Sequence, residues 1–474
     1  MNLENLNNEK LYINGEYVES STGEFIDVEN PATEEIFAKI PRANEDDINK
    51  AVDAAYEAYQ TWSETDLSER ISYIEKFNVW VKDHQDEFDE LILHELGIPK
   101  HIGHNAQVKG QISRIENYIE QVQKFNIEEE VEGGILRREP IGVVASITPW
   151  NYPLGQIVQK VIPALLSGCT VVQKPATNTP LTAYLFAQGL HEVGLPKGVF
   201  NLITGQGSEV GNVLNTHPKV AMVSYTGSLE GGGKSGGQAM ETAKKVVLEL
   251  GGKSPAVFLP GADIKKGVEK VLNSVYRNVG QTCSCLSRAV VVEEIYDEVL
   301  DEFLKQYENY PLGNPTDENT VVSTLSSDKQ FERVQSYIQK GLNEGAELVR
   351  GELPVKPEKG YYVKPAIFTN VKPGMTIHDE EIFGPVLSII KVKDKKEAIE
   401  VANAVEYGLS SAVFGNEEDA LDVARKIKAG DCNVNAASGG SDLPFGGYKQ
   451  SGVGREGGTY GLLEYYELKS IYKN

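Results

Sequence analysis

The sequence predicts an α/β fold in which parallel sheets are covered by helices on both faces. From Ile141 onward, short β-branched runs alternate with helical stretches. Those runs are continuously apolar, as strands buried on both faces must be. The chain has 474 residues, 40% of them hydrophobic and 24% charged, enough for sizeable cores in two or three domains.

In chain order, Leu11–Val18 places Asn14-Gly15 between two strand-like runs, the signal of a tight hairpin. Asn44 reads as a helix N-cap, with Glu45, Asp46 and Asp47 in the first turn. Ile48, Val52, Ala55 and Tyr59 then follow at helical spacing, and Ile71, Ile74, Phe77 and Val81 repeat that stripe. Up to about residue 110 the chain thus predicts a hairpin followed by helices. The expected strands of the first sheet are Val143–Ile147, Thr170–Gln173, Val199–Ile203, Ala221–Tyr225 and Val246–Leu250, with helical stretches such as Leu181–Val193 between them. A second strand-and-helix series runs from about Ala256 to Lys428. Phe125–Glu139 reads as a charged ribbon turning at Gly133-Gly134, and Leu463–Tyr472 as another strand. Two exposed ribbons without a core of their own suggest edge pairing between subunits.

Composition narrows the function. The 46 Lys and Arg against 69 Asp and Glu give a formal charge of -23, which repels phosphate backbones and anionic lipid, so no nucleic acid and no membrane surface is expected as a partner. No apolar run approaches the ~20 residues of a membrane helix, and Met1–Lys10 is polar and unlike a signal sequence. Four scattered cysteines suit a reducing cytoplasm better than a disulfide scaffold. With seven scattered histidines and no CxxC, HExxH or HxxxH spacing, no metal is expected.

Three segments carry chemistry. Asn278-Val-Gly-Gln-Thr-Cys283-Ser-Cys285 is a small-residue turn where a cysteine can become a nucleophilic thiolate, although a lone cysteine is more often simply buried. Cys285 would point elsewhere by alternation if the segment is extended, as a packing or redox-sensitive neighbour. Glu249 ends an apolar strand before Gly251-Gly252, where burial would raise its pKa into the range of a general base; pairing with Lys253 is the plainer alternative. Asn151 sits between Pro149 and Pro153, stiff enough to aim its amide at an oxyanion, or else serving turn chemistry alone.

These motifs, in this order, resemble those of the aldehyde dehydrogenase superfamily. Ile147-Thr-Pro-Trp-Asn151-Tyr-Pro-Leu154 is similar to the Asn-bearing loop, Leu248-Glu-Leu-Gly-Gly-Lys253 to the general-base motif, and Gly280-Gln-Thr-Cys283 to the nucleophile motif. Glu380-Glu381-Ile-Phe383-Gly-Pro385 resembles the cofactor-ribose motif, and Pro444-Phe-Gly-Gly-Tyr-Lys-Gln-Ser-Gly452 the C-terminal signature. The resemblance spans essentially the whole chain. It implies a Rossmann-like cofactor domain (1–121 and 141–252), an α/β catalytic domain (253–454) and a small β oligomerisation ribbon (122–140 and 455–474), pairing into a homodimer or homotetramer. It also implies oxidation of a small-molecule aldehyde to its acid with NAD or NADP, with Cys283 as nucleophile, Asn151 and the Cys283 backbone N–H at the oxyanion, Glu249 activating water, and Lys160 assisting proton movement. Members that transfer the acyl group to coenzyme A commonly lack the glutamate, so Glu249 favours hydrolysis over that alternative, and a non-catalytic dinucleotide-binding protein would have lost Cys283 or Glu249.

For the cofactor, Gly205-Gln-Gly207-Ser-Glu-Val-Gly211 follows a strand and could open a phosphate-binding helix, a weak signal by itself because its spacing is GxGxxxG. Thr226-Gly227-Ser228, with Gly232 beyond, resembles the family's second glycine motif, with Ser228 near the pyrophosphate. The further glycines up to Gly237 suggest a loosened helix start. Lys174 and Thr177 match the strand end that reads the adenosine ribose. Many NAD-preferring members carry Glu where Thr177 stands, so NADP is expected to be tolerated or preferred. The resemblance further assigns Ile147, Thr148, Pro149, Trp150 and Leu250 to the cofactor, and Glu381 and Phe383 to the nicotinamide ribose and ring.

Overall fold

A computed structural model describes residues 6–437 and 439–473. Its first sheet has eight strands, in the order Glu16–Val18, Leu11–Ile13, Phe200–Leu202, Thr170–Lys174, Val143–Ile147, Val220–Thr226, Lys245–Glu249, Gly452–Val453. The strands from Phe200–Leu202 to Lys245–Glu249 are parallel, and antiparallel strands close both edges. The wholly buried helix Pro153–Ser167 and the helix Leu181–Glu192 connect the central strands. Val143–Ile147 comes first in sequence among the parallel strands but lies in their middle, so the winding direction reverses between it and Val220–Thr226. The carboxyl ends of strands at such a reversal form a crevice, and here they carry Thr148–Trp150 and Gly227–Ser228.

The second sheet has seven strands, in the order Glu347–Arg350, Ala366–Thr369, Val386–Val392, Arg288–Val292, Pro255–Phe258, Ala412–Phe414, Asn433–Val434. All its neighbours pair in parallel except Glu347–Arg350 with Ala366–Thr369. The parallel α/β class is therefore present twice. At the N-terminus the hairpin turns at Asn14-Gly15, and Asn44 caps Glu45–Trp62 in a capping box with Asp47.

Three expectations change. A second hairpin, Phe25–Asn30 with Glu35–Pro41, precedes the first helix. Its second strand, Glu35–Pro41, changes burial mostly in pairs of residues rather than one by one, so it lacks the alternation that marks a strand. The C-terminal segment is the helix Gly458–Leu463 followed by the strand Tyr466–Tyr472, rather than one strand from Leu463. That strand pairs along its whole length with Gly134–Pro140 of the same chain, which in turn pairs with Glu128–Val131. The glycine cluster does not loosen its helix: Leu229–Met240 is continuous. A side chain at Gly231 would overlap the Tyr225 hydroxyl, and one at Gly232 would overlap Leu250, so close packing accounts for both.

Candidate active site

The helix Ile264–Tyr276 delivers the chain to a reversal through Val279 (φ 54°) and Gly280 (φ 69°). A left-handed β-branched residue is a rare conformation held by its surroundings. Here Gly280 lies so close to the Gly384 carbonyl that no side chain fits between them. The segment beyond is a turn, with the Cys285 N–H donating to Thr282 O at 3.1 Å, and not an extended run. Cys283 is half-buried and faces a cavity, whereas Cys285 is buried. The two sulfurs are thus separated by a turn rather than by strand alternation.

Asn151 is buried beside this turn. Its Nδ2 donates to Gln281 O at 2.9 Å, leaving a second amide hydrogen. Its own carbonyl accepts from Gln107 Nε2 at 3.0 Å and from Asn278 Nδ2 at 3.2 Å. These partners come from distant segments, so local turn chemistry alone does not account for Asn151. Gln107 and Asn278 fix the loop, and no sequence signal singles out Gln107.

Glu249 ends its strand 2% exposed, with both carboxylate oxygens unpartnered among the described residues. Lys253 is not its partner, since the buried Lys253 Nζ has none either. Burial, and then the charge of Glu456, hold the Glu249 carboxyl well above the ordinary carboxylate range, while Lys160 and Arg455 pull the other way. Lys160 is fully buried, paired with Glu456, and donates to Ser224 Oγ at 3.2 Å. The C-terminal signature closes over this group, because a side chain at Gly446 would begin 2.6 Å from Glu249 Oε1. Burial pushes the Cys283 thiol up as well, with the facing Glu249 and Glu381 carboxylates adding to the effect. A proton leaving the thiol therefore has a buried, proton-retaining acceptor within electrostatic reach.

Cys283 opens to a cavity of about 350 Å³ that gathers Pro149, Trp150, Asn151, Thr226, Gly227, Ser228, Leu250, Glu381 and Phe383. Trp150 meets Phe383 edge-on at 5.3 Å. Phe383 has φ 61°, and its carbonyl accepts from Gln330 Nε2 at 2.6 Å, while Arg333 binds the Glu381 and Ile382 carbonyls. Gln330 and Arg333 lie on Asp328–Asn343, an amphipathic helix whose sequence gives no hint of this task. Glu381 Oε1 accepts from the Gly252 N–H at 2.9 Å.

Ile147, Thr148, Lys174, Thr177, Gly207 and Gly211 do not line this cavity. Ile147 and Thr148 are buried beneath it, Thr148 Oγ1 accepting from Gln173 Nε2 at 2.8 Å. Lys174 Nζ is buried with only the Pro175 carbonyl at 2.9 Å, and burial lowers its pKa to about 8. It lies 3.9 Å from where a side chain at Gly207 would begin, and Gly207 opens the helix Gly207–Thr216. Gly211 is buried within that helix, and Thr177 is half-buried. Ser228 caps Leu229–Met240, accepting from the Gly231 N–H at 3.1 Å, and the buried Thr226 Oγ1 has no partner among the described residues. Two helix starts, an under-used ammonium and an orphaned hydroxyl at a winding reversal suit a dinucleotide.

The chain is similar to known proteins along nearly its whole length. The sequence profile of the aldehyde dehydrogenase family matches residues 17–471. A Staphylococcus epidermidis chain, named provisionally as an aldehyde dehydrogenase, is 44% identical over 466 residues, covering 98% of each. Among solved structures, aldehyde dehydrogenase C of Pseudomonas syringae, a variant complexed with NAD+ and octanal, has TM-score 0.96 at 39% identity, covering 99% of this chain and 97% of that one. Betaine aldehyde dehydrogenase of Staphylococcus aureus, complexed with NAD+, has TM-score 0.95 at 34% identity over 98% and 97%. The fold and this similarity define an oxidoreductase. The chain belongs to the aldehyde dehydrogenase family. No helix among the described residues is long and apolar enough to cross a membrane.

Proposed function

We propose that this protein oxidises an aldehyde to its carboxylate with NAD or NADP and water, through a thioester on Cys283. The observation that carries the reading is the meeting of Cys283 and Asn151 at one cavity, with the buried, unpartnered Glu249 within electrostatic reach of the sulfur. The Cys283 thiol gives its proton to Glu249 as sulfur adds to the carbonyl carbon. The second Asn151 amide hydrogen and the Cys283 backbone N–H receive the oxyanion. Bound nicotinamide supplies the hydride acceptor, leaving a thioester on Cys283. Glu249, its proton passed on through the neighbourhood of Lys160 and Glu456, then takes a proton from water, whose oxygen adds to the thioester carbon. Collapse breaks the C–S bond and releases the acid.

For the cofactor, Glu381 would take the nicotinamide ribose, Phe383 and Trp150 the ring side, Ser228 and Gly227 the pyrophosphate, and Lys174 with Thr177 the adenosine ribose. Ile147, Thr148, Gly207, Gly211, Gly232 and Leu250 shape that surface. Residues 1–121 with 141–252 form the cofactor domain, 253–454 the catalytic domain, and 122–140 with 455–474 the pairing ribbon. The outer edge of Tyr466–Tyr472 carries no partner strand among the described residues, and Leu468 (62%) and Tyr472 (88%) are exposed on it, which supports pairing into a dimer or a dimer of dimers. An active monomer in gel filtration would refute that assembly.

The deciding experiment is aldehyde-dependent NAD(P)H formation without coenzyme A, beside Cys283→Ala. Turnover that vanishes in the variant supports the reading; turnover that survives it, or that demands coenzyme A, removes it.

A further inference from the structure

The Cys283 turn separates two hollows. Cys283 faces the one lined by Trp150, Thr226, Glu381 and Phe383, while Thr282 and Ser284 on either side line the other. This second hollow has a volume of about 550 Å³ and lies between the stretch Ile98–Gln107 and the end of the helix Ile264–Tyr276. If the first hollow holds the dinucleotide, an aldehyde reaches the sulfur from the second. Any role of the second hollow in substrate choice therefore rests on the proposed oxidation at Cys283.

The charge on its walls runs against the rest of the molecule. The chain has a formal charge of -23, yet this hollow is lined by Lys270, Arg277 and His101 and by no Asp or Glu among the described residues. The His101 ring is already engaged with Thr320 O at 2.8 Å. The Lys270 and Arg277 side chains take part in no hydrogen bond or ion pair with a described residue. The nearby acids do not line this hollow. Asp431, within electrostatic reach of Lys270, accepts from Ser410 Oγ at 2.5 Å. Glu269 and Glu302 border a neighbouring hollow that Arg277 also touches, and Glu302 is taken by Lys305 and Gln306. Two cations without partners, in a hollow that reaches the residues on either side of Cys283, form a receptor for an anion. A guanidinium presents its donors in the planar fork that matches a carboxylate.

We propose that this hollow selects aldehydes carrying a carboxylate at the far end of the carbon chain, held by Arg277 and Lys270. Arg277 is exposed, so water screens the pairing and a moderate preference is expected rather than an absolute one.

The test compares ω-oxocarboxylates of increasing length with n-alkanals of equal length. In the wild-type protein kcat/KM favours the oxo acid by about tenfold, mainly through KM, and the advantage shrinks as salt rises. In the double variant Lys270→Gln/Arg277→Gln the ratio falls toward one. A wild-type ratio near one, or a ratio unchanged by the double substitution, overturns the proposal. A second readout needs no turnover: calorimetric titration of the dicarboxylate product, and of the matching monocarboxylate, into Cys283→Ala. Tighter binding of the diacid, lost when Lys270 and Arg277 are also replaced, upholds the anion site even if no aldehyde is oxidised, an outcome that would instead defeat the reading of Cys283. Equal binding of the two acids overturns the site whatever the turnover.

Discussion

Gly252 packs directly against the Cys283 carbonyl, with no room for a Cβ between them. The two belong to different motifs, so the base-bearing strand end and the nucleophile turn share one backbone contact. Gly252→Ala must displace the turn. Misplacing a reacting group by an ångström costs about 100-fold in rate. A fall of that order in kcat is expected, with Tm and cofactor Kd little changed. Near-normal kcat would show that the turn absorbs a methyl group.

Glu249→Gln should abolish the NAD(P)H burst as well as steady turnover near neutral pH, because one carboxylate both takes the thiol proton and activates water. Stopped-flow absorbance reads both phases. A burst equal to the enzyme concentration followed by arrest would confine Glu249 to thioester hydrolysis.

The same substitution has a signed effect on stability. The folded Glu249 carboxyl titrates above its ordinary 4.5, so the unfolded chain loses this proton first as pH rises. Stability tied to the neutral form is therefore full below 4.5 and is lost as pH climbs through the raised value. Glu249→Gln should raise Tm near neutral pH, and the gain should shrink toward pH 5. A pH-independent difference would contradict the burial of an ionising group.

Lys160 and Glu456 act on Glu249 with opposite sign. Lys160→Met should move the acid limb of the kcat–pH profile upward, and Glu456→Gln should move it downward. Each leaves a buried charge without its partner, at a cost of about 3–5 kcal/mol in stability. Shifts in the same direction for both variants would exclude a charge effect.

Thr177→Glu adds a carboxylate where a 2′-phosphate would lie, so the NADP/NAD ratio of kcat/KM should fall by about tenfold. Equilibrium binding of the two cofactors should follow the same order. An unchanged ratio would remove Thr177 from cofactor choice.

Legibility followed range along the chain. Val143–Ile147 was readable to the residue, because a strand buried on both faces writes its length as a near-continuous apolar run, interrupted here only by Ser146. Asn44 was readable because a cap acts within one turn. The hairpin Phe25–Asn30 with Glu35–Pro41 was not, since burial along Glu35–Pro41 does not alternate with the pleat and the pairing shifts register between Val28 and Glu29. In the site, Cys283, Glu249 and Asn151 stood out through the character of their neighbours. Gln107, Gln330 and Arg333 did not, because their partners are carbonyls far away in sequence. Lys270 and Arg277 lie on and just past a helix of ordinary appearance, and only the folded wall brings them to one space.

The ribbon sets a clock on biosynthesis. Glu139 and Lys469, which pair across it, are 330 positions apart. At 5–20 residues per second, the ribosome needs roughly 15–65 s to supply the second strand after the first has emerged. Throughout that interval one side of Gly134–Pro140 offers unmet backbone groups to any extended neighbour. Crowded nascent chains on one messenger therefore have a sticky site in common, and slower translation or scarce chaperone should be felt first as aggregation rather than as lost catalysis.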